Sequence, residues 1–191
     1  MLDNLKKYDI VLASNSPRRR ELLSGLGVNF RVETVSGLDE SYDPNMPLSQ
    51  VAAFLSQKKA SAYSLAPNEL IITADTIVLA SGEVLGKPHD RDDAHRMLRL
   101  LAGATHEVIT GVTVATSSRS VTFSNVTRVT FDPLTDDEIF HYIDQFAPFD
   151  KAGAYGIQEW IGFMGVKAID GCFYNVMGLP VNHLYTTLKT F

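Results

Sequence analysis

Several features are scarce in this chain of 191 residues. It has one cysteine, Cys172, which excludes an internal disulfide and any zinc site built on several thiolates; a single thiol fits a reducing compartment. No apolar run approaches the ~20 residues that a membrane-spanning helix needs. The opening MLDNLKKYDIVLAS carries only a strand-length apolar stretch, so no signal peptide is expected and the expected location is the cytoplasm. Positive charge is short as well: 17 Lys and Arg stand against 22 Asp and Glu, a formal net charge of −5. That balance argues against a general nucleic-acid binder. There is no internal repeat and no low-complexity segment. What remains is 45% hydrophobic and 20% charged, enough for one substantial core with room for a small lobe.

Hydrophobic patterning predicts alternating strands and helices. Tyr8 to Ala13 reads as a buried strand feeding a helix that starts at Ser16 and Pro17, buries Leu22, Leu23 and Leu26, and stops at Gly27. A second helix is expected over Leu48–Ser64, with Val51, Leu55 and Ala62 on one face. Leu70–Ala80 reads as a strand that turns at Ser81-Gly82 and returns as Glu83–Leu85. Asp90 caps a helix bearing Ala94, Met97, Leu98 and Leu101 at helical spacing, closed by Gly103. Val108–Thr116 and Val121–Phe131 form a hairpin, and Thr135 with Glu138 is a capping box for a helix with Ile139, Phe140, Ile143 and Phe146. A Gly-rich stretch from Lys151 to Gly171, a short strand near Cys172–Val176 and a helix from Pro180 bearing Val181, Leu184, Tyr185 and Leu188 complete the chain. Interleaved strands and helices with hairpins mean an α/β fold on a mixed sheet.

Four local anomalies point to chemistry. The first is SNSPRRRELL. The first helical turn carries positive dipole and prefers acids, yet here it holds Arg18, Arg19 and Arg20. At about 100° per residue, Arg18 and Arg19 fall on or beside the leucine face and Arg20 points to water. A strand-to-helix crevice with free N–H groups is where α/β proteins hold phosphate, and the arginine fork suits phosphate oxygens. The alternative is three solvated arginines paired with acids such as Glu21.

The second anomaly is Asp75, within IITADTIVLA. Aspartate is depleted in strands, and a buried carboxylate without a partner is costly. It needs a cation, a hydrogen-bond network or a metal, or else it marks a bulge or turn; near phosphate it could serve as general base or Mg²⁺ ligand. Glu40 in GLDES, taken alone, is a loop acid. The lysines are the fourth: Lys58 and Lys59 flank the apolar face of the second helix about equally, and Lys87 follows a hairpin in GKP. Several lysines beside Arg18 and Arg19 would neutralise a group as anionic as a triphosphate.

In order along the chain, SNSPRRRELL, GLDE, ADTIV, GKP and DKAGAYGIQ resemble the motifs of the Maf (septum-formation inhibitor) nucleotide pyrophosphatases, and the resemblance runs from about Ile10 to Leu188. It implies one domain, a mixed elongated sheet flanked by helices with a cleft between two lobes, like the inosine-triphosphate pyrophosphatases. It also implies hydrolysis of a nucleoside triphosphate to the monophosphate and pyrophosphate with a divalent metal, Mg²⁺ or Mn²⁺. On this sequence Asp75 matches the proton acceptor, and Arg18, Thr76 and Gln158 match positions tied to substrate choice. Ser14, Arg19, Glu40, Lys59 and Lys87 match further cleft residues. Of these, Ser14, Arg18, Arg19, Lys59 and Lys87 are expected to bind phosphate, and Glu40 and Asp75 to hold metal. Arg20 falls where the family varies. The loop KAGAYGIQ resembles the branch acting on dTTP and UTP, and a Gln158 amide can match the imide edge of those bases. The expected partner is a small nucleotide, with no nucleic acid or membrane, and a homodimer is allowed. Rival readings are a 7-methyl-GTP or CTP enzyme of the same fold, an enzyme for modified pyrimidine nucleotides, or a non-catalytic division inhibitor.

Overall fold

The structure is a computed structural model that describes residues 2–191. β1 (Asp9–Leu12) is a buried apolar strand. At its end the Ser16 Oγ accepts from the Arg19 backbone N–H, and Pro17 fills the first position of α1 (Pro17–Gly25). α1 buries Leu22 and Leu23, and Gly27 at φ +69° follows it. Leu26, expected on the buried face, caps the helix and is only partly covered. β2 (Arg31–Val32) pairs parallel with β1; two residues are too few to show a periodicity.

α2 (Leu48–Ser61) buries Val51, Ala52, Leu55, Ser56 and Ala60. It ends earlier than expected, which leaves Ala62 exposed instead of on the apolar face. β3 (Glu69–Ala80) runs parallel to β1, with Asp9 opposite Glu69. It turns through Ser81 (φ 51°) and Gly82 (φ 79°), the double positive φ of a tight hairpin, into antiparallel β4 (Glu83–Leu85). α3 (Arg91–Leu101), capped by Asp90, buries Ala94, Met97, Leu98 and Leu101 as its spacing predicts. β5 (Thr105–Ala115) and β6 (Ser120–Phe131) follow. The Thr135/Glu138 capping box opens α4 (Asp136–Phe146). α4 buries Tyr142 beside Ile139 and Ile143, whereas Phe146 at its end stays 38% exposed.

The C-terminal third departs further from expectation. α5 (Trp160–Gly165) leads into β7 (Val166–Asp170), antiparallel to β6, and α6 (Phe173–Val176) precedes α7 (Val181–Leu188). The strand expected near Cys172–Val176 is therefore a single helical turn, and the real strand lies one segment earlier. β7 is mostly exposed, so it carries no hydrophobic alternation to reveal it. The Asn175 side chain is fully buried and donates to the Val108 carbonyl and Thr127 Oγ1, each at 3.0 Å; that polar anchor, not strand pairing, holds the segment.

The seven strands make one mixed sheet in the order β2-β1-β3-β5-β6-β7, with β4 on β3, and helices flank it. The chain forms two compact units. The first runs to Asp75 and adds Thr110–Asn125 and Gly178–Phe191; the second is Thr76–Ile109 with Val126–Met177. β3, β5 and β6 contribute residues to both. In the first unit Val11, Ile71 and Ala115 pack with Ala13, Tyr63 and Leu65. The second has a larger core in which Leu98, Leu101, Phe131, Ile139, Tyr142 and Tyr155 take part. Among the described residues no helix is long and apolar enough to cross a membrane.

Candidate active site

The site in the first unit is built on the contact between α2 and β3. Strand alternation places Thr73 and Asp75 on one face of β3, and helical spacing places Ser56 and Lys59 one turn apart on α2. Thr73 Oγ1 donates to the Ser56 carbonyl at 2.6 Å. Ser56 Oγ shares a hydrogen bond with Thr113 Oγ1 at 2.9 Å, which in turn meets Thr122 Oγ1 at 2.9 Å. A Cβ at Gly111 would lie 2.3 Å from the backbone of Ala52 and Ala53, so glycine is what lets α2 rest directly on β5. Seated this way, Lys59 donates from Nζ to Asp75 Oδ1 at 2.5 Å and pairs with Glu40 Oε1 at 3.0 Å. Asp75 thus sits within the strand β3, not in a turn, and its partner is a lysine.

Geometry also decides between the two lysines. Lys58 turns to Asp39 and the Ser41 carbonyl, both at 2.9 Å. Hydrogen bonds from Ser41 and from Lys58 hold the Asp39 carboxyl below the usual carboxylate range. Lys58 therefore serves the GLDES loop, and Lys59 serves the acid inside the sheet.

The arginines divide as the helix geometry predicts, with Arg20 exposed. Arg19 donates from Nε to the Gly178 carbonyl at 2.8 Å, and from Nη1 to the Ala74 carbonyl at 2.8 Å and to Ser14 Oγ at 3.4 Å. Ser14 Oγ also accepts from the Ser16 N–H at 3.2 Å. Burial pushes the Arg19 pKa down; Asp75 and Glu40 oppose that, and Arg18 adds to it. Arg18, Glu40 and Asp75 therefore each lie within electrostatic reach of Arg19. Two of the Arg19 groups expected to meet phosphate are engaged by main-chain carbonyls, so this residue also fixes the backbone beside Asp75.

Thr76, Lys87 and Gln158 belong to the second unit. Thr76 follows Asp75 on β3, and Lys87 is exposed in the Gly86–Pro88 turn after β4. The Gly86 carbonyl accepts from the Gly153 N–H at 2.9 Å, which ties the turn carrying Lys87 to the loop carrying Gln158. Gln158 Oε1 is buried and accepts no hydrogen bond from any described residue. In the same loop Tyr155 Oη meets His106 Nε2 at 2.7 Å. Burial pushes the His106 pKa down to about 4, so the imidazole is neutral at pH 7. Sequence reasoning missed Ser56, Thr73 and Gly111, the supports of the cluster. The buried hydroxyls in Thr-rich β3 and β5 were the only signal, and short polar side chains in strands are too common to read alone.

A family of pyrophosphatases implies a divalent metal, and the donor set can be tested for it. Mg²⁺ is commonly held by one or two carboxylates together with substrate phosphates. Glu40 and Asp75 present that chemistry, joined through Lys59. No cluster of three or more His, Cys, Asp or Glu among the described residues makes a self-sufficient cage. The residues fit a metal that arrives with a polyphosphate.

The mixed sheet with flanking helices is the fold of the HAM1 class. A HAM1 protein from Coxiella burnetii matches 96% of this chain and 100% of its own with a TM-score of 0.51 at 12% identity, a likeness of fold alone. The model of the family described as Maf-like protein matches residues 9–191, and the chain belongs to that family. It is 56% identical to a dTTP/UTP pyrophosphatase of Phocaeicola vulgatus over 99% of both chains. Over the full length of both chains it is 53% identical to one of Parabacteroides distasonis. It is 52% identical to one of Bacteroides thetaiotaomicron over 99% of both.

Proposed function

We propose that this protein is a nucleoside triphosphate pyrophosphatase that hydrolyses dTTP and UTP, and modified pyrimidine nucleotides of the same edge, to the monophosphate and pyrophosphate. The observation that carries the reading is the Glu40–Lys59–Asp75 cluster, whose two carboxylates lie within electrostatic reach of Arg19, as Arg18 does. Carboxylates that accept protons and cations that neutralise phosphate are what anhydride hydrolysis requires, and most of the rate comes from positive charge placed where negative charge develops. In this reading Arg18, Arg19, Lys59 and Lys87 bind phosphate oxygens, with Ser14 as a further hydrogen-bonding group. Water attacks the α-phosphorus and gives its proton to Asp75, the bond to the pyrophosphate oxygen breaks, and pyrophosphate leaves. Lys59 holds Asp75 Oδ1 in place for that transfer. Glu40 and Asp75 would hold the metal, which supplies further neutralisation of the triphosphate when bound.

Base choice is assigned to Gln158, with Arg18 and Thr76. A buried amide oxygen without a donor costs about 1–3 kcal/mol, and the N3–H of uracil or thymine is a donor of the right kind. The reading carries with it a cytoplasmic enzyme acting on free nucleotide, with no nucleic-acid or membrane partner and a homodimer allowed.

The test is release of pyrophosphate from UTP, dTTP, CTP and 7-methyl-GTP, with and without Mg²⁺ or Mn²⁺. Turnover of UTP and dTTP above the other two is expected, lost on chelation. In Asp75→Asn, kcat should fall by about 10²–10⁴-fold while nucleotide binding, measured by calorimetry, persists. Preference for 7-methyl-GTP or CTP would overturn the base assignment. Near-normal kcat in Asp75→Asn would remove Asp75 as the base, and a division phenotype that survives it would favour the inhibitor reading.

A further inference from the structure

The loop from Lys151 to Glu159 is pinned by a buried polar network that the proposed chemistry leaves unused. Tyr142 on α4 is fully buried, and its hydroxyl makes two bonds. It donates to Glu159 Oε2 and accepts from the Gly156 N–H at 3.0 Å. Glu159 Oε1 pairs with Lys151 Nζ at 3.1 Å, and Lys151, itself buried, pairs with Asp150 at 2.7 Å. The chain of contacts runs from an ammonium through a carboxylate and a phenol to a backbone amide. Burial and the bond to Glu159 raise the Tyr142 pKa, so the hydroxyl keeps its proton.

These bonds bracket Gln158. Gly156 and Glu159, on either side of it, are both held by one tyrosine oxygen. A Cβ at Gly156 would stand 2.8 Å from Glu159 Cδ and 3.1 Å from Gln158 Nε2, so both side chains fold back over that glycine. A Cβ at Gly162 would lie 1.7 Å from the Ile157 carbonyl oxygen, which fixes the backbone just before Gln158 from below. The amide is thus packed between residues that cannot shift independently, the condition for a preorganised recognition group.

Resting on the assignment of Gln158 to base recognition, we propose that Tyr142 is a positioning residue for base selection, acting through Gly156 and Glu159 to aim the Gln158 amide. The Lys151–Glu159 pair is the support that holds the tyrosine's acceptor in place. Removing the hydroxyl releases two bonds at once and leaves the charged cluster of the first unit chemically intact.

The experiment is a double-mutant cycle read as selectivity, the ratio of kcat/KM for UTP to that for CTP, on the full chain with Mg²⁺. Tyr142→Phe should raise KM for UTP and lower the ratio roughly tenfold, with kcat for UTP little changed. Gln158→Ala should lower the ratio at least as much, and Tyr142→Phe added to it should produce no further loss. Equal loss on both nucleotides in Tyr142→Phe, or a cycle that is additive, would reduce Tyr142 to a structural residue and overturn the proposal. If Gln158→Ala alone leaves the ratio unchanged, the assignment of Gln158 fails and this inference with it. If Gln158→Ala collapses the ratio and Tyr142→Phe does not, only the inference fails. Should Tyr142→Phe not fold, Glu159→Gln carries the same cycle, since it keeps an acceptor for the hydroxyl but loses the charge paired with Lys151. It should lie between wild type and Gln158→Ala, and a ratio equal to wild type would count against the proposal.

Discussion

Two lysines in this molecule each bridge two carboxylates, and what lies beyond each bridge differs. Lys59 joins the mostly covered Asp75 to Glu40, whose side chain is 59% exposed; Lys151 joins the mostly covered Glu159 to Asp150, whose side chain is 54% exposed. Both bridges therefore meet water through their outer acid. At the inner end they part. The second continues through Glu159 into Tyr142 and the Gly156 amide, whereas the first stops at Asp75, beside Arg19. A cluster that stops at a carboxylate among cations is suited to chemistry, because an anion or a cation can join it. One that runs on into a buried phenol and backbone is suited to geometry, because breaking it strands a charge among groups held away from water.

The contrast can be broken from either side. The largest effect is expected in Lys59→Met: kcat/KM for UTP should drop about 10²–10³-fold. The melting temperature should move little, since Arg19 remains within electrostatic reach of Asp75. Pyrophosphate release and thermal unfolding measured on the same sample decide it, and a large fall in melting temperature with modest loss of rate would reverse the roles. Lys151→Met should show the converse, a loss of about 3 kcal/mol in stability by denaturant unfolding with kcat for UTP nearly retained. Gly111→Ala sharpens the comparison by attacking the seat of the Lys59 cluster. Its methyl group must push α2 off β5, costing about 2–3 kcal/mol, and activity should fall together with stability because Lys59 moves with the helix.

The smallest effect concerns pH. The unfolded chain protonates His106 near 6.5, whereas burial delays this in the folded state to about 4. Between those values the unfolded state binds more protons, so stability falls as pH falls, by up to ~1.4 kcal/mol per unit from this group. His106→Gln should flatten that part of the stability curve relative to wild type, and identical slopes would show that His106 does not titrate across that range.

How much of this was legible in the sequence depended on whether a feature announced itself locally. The apolar spacing of α3 and the Thr135/Glu138 box are local, and both appear as expected. The need of Asp75 for a partner was also legible, because a carboxylate among aliphatic residues is a local contradiction. Which lysine answers it was not, since Lys58 and Lys59 differ only in what folds over them. β7 is illegible because an exposed strand has no alternation, and α6 reads as a strand because four residues hold too little periodicity to choose. Tyr142 was hidden in another way. On an amphipathic helix its position can pass for that of any aromatic, and nothing nearby in sequence reveals that its hydroxyl meets a loop 14 residues on.

Arg19 has one consequence for the order in which the molecule comes into being. Its guanidinium joins the start of α1 to the Ala74 carbonyl and to that of Gly178, 159 positions away. While the polypeptide is still being made, the backbone beside Asp75 lacks this second clasp until residue 178 has cleared the ribosome. Of the two carbonyls that Arg19 grips, that of Ala74 is made early and that of Gly178 long afterwards, so the guanidinium is fully engaged only late in synthesis.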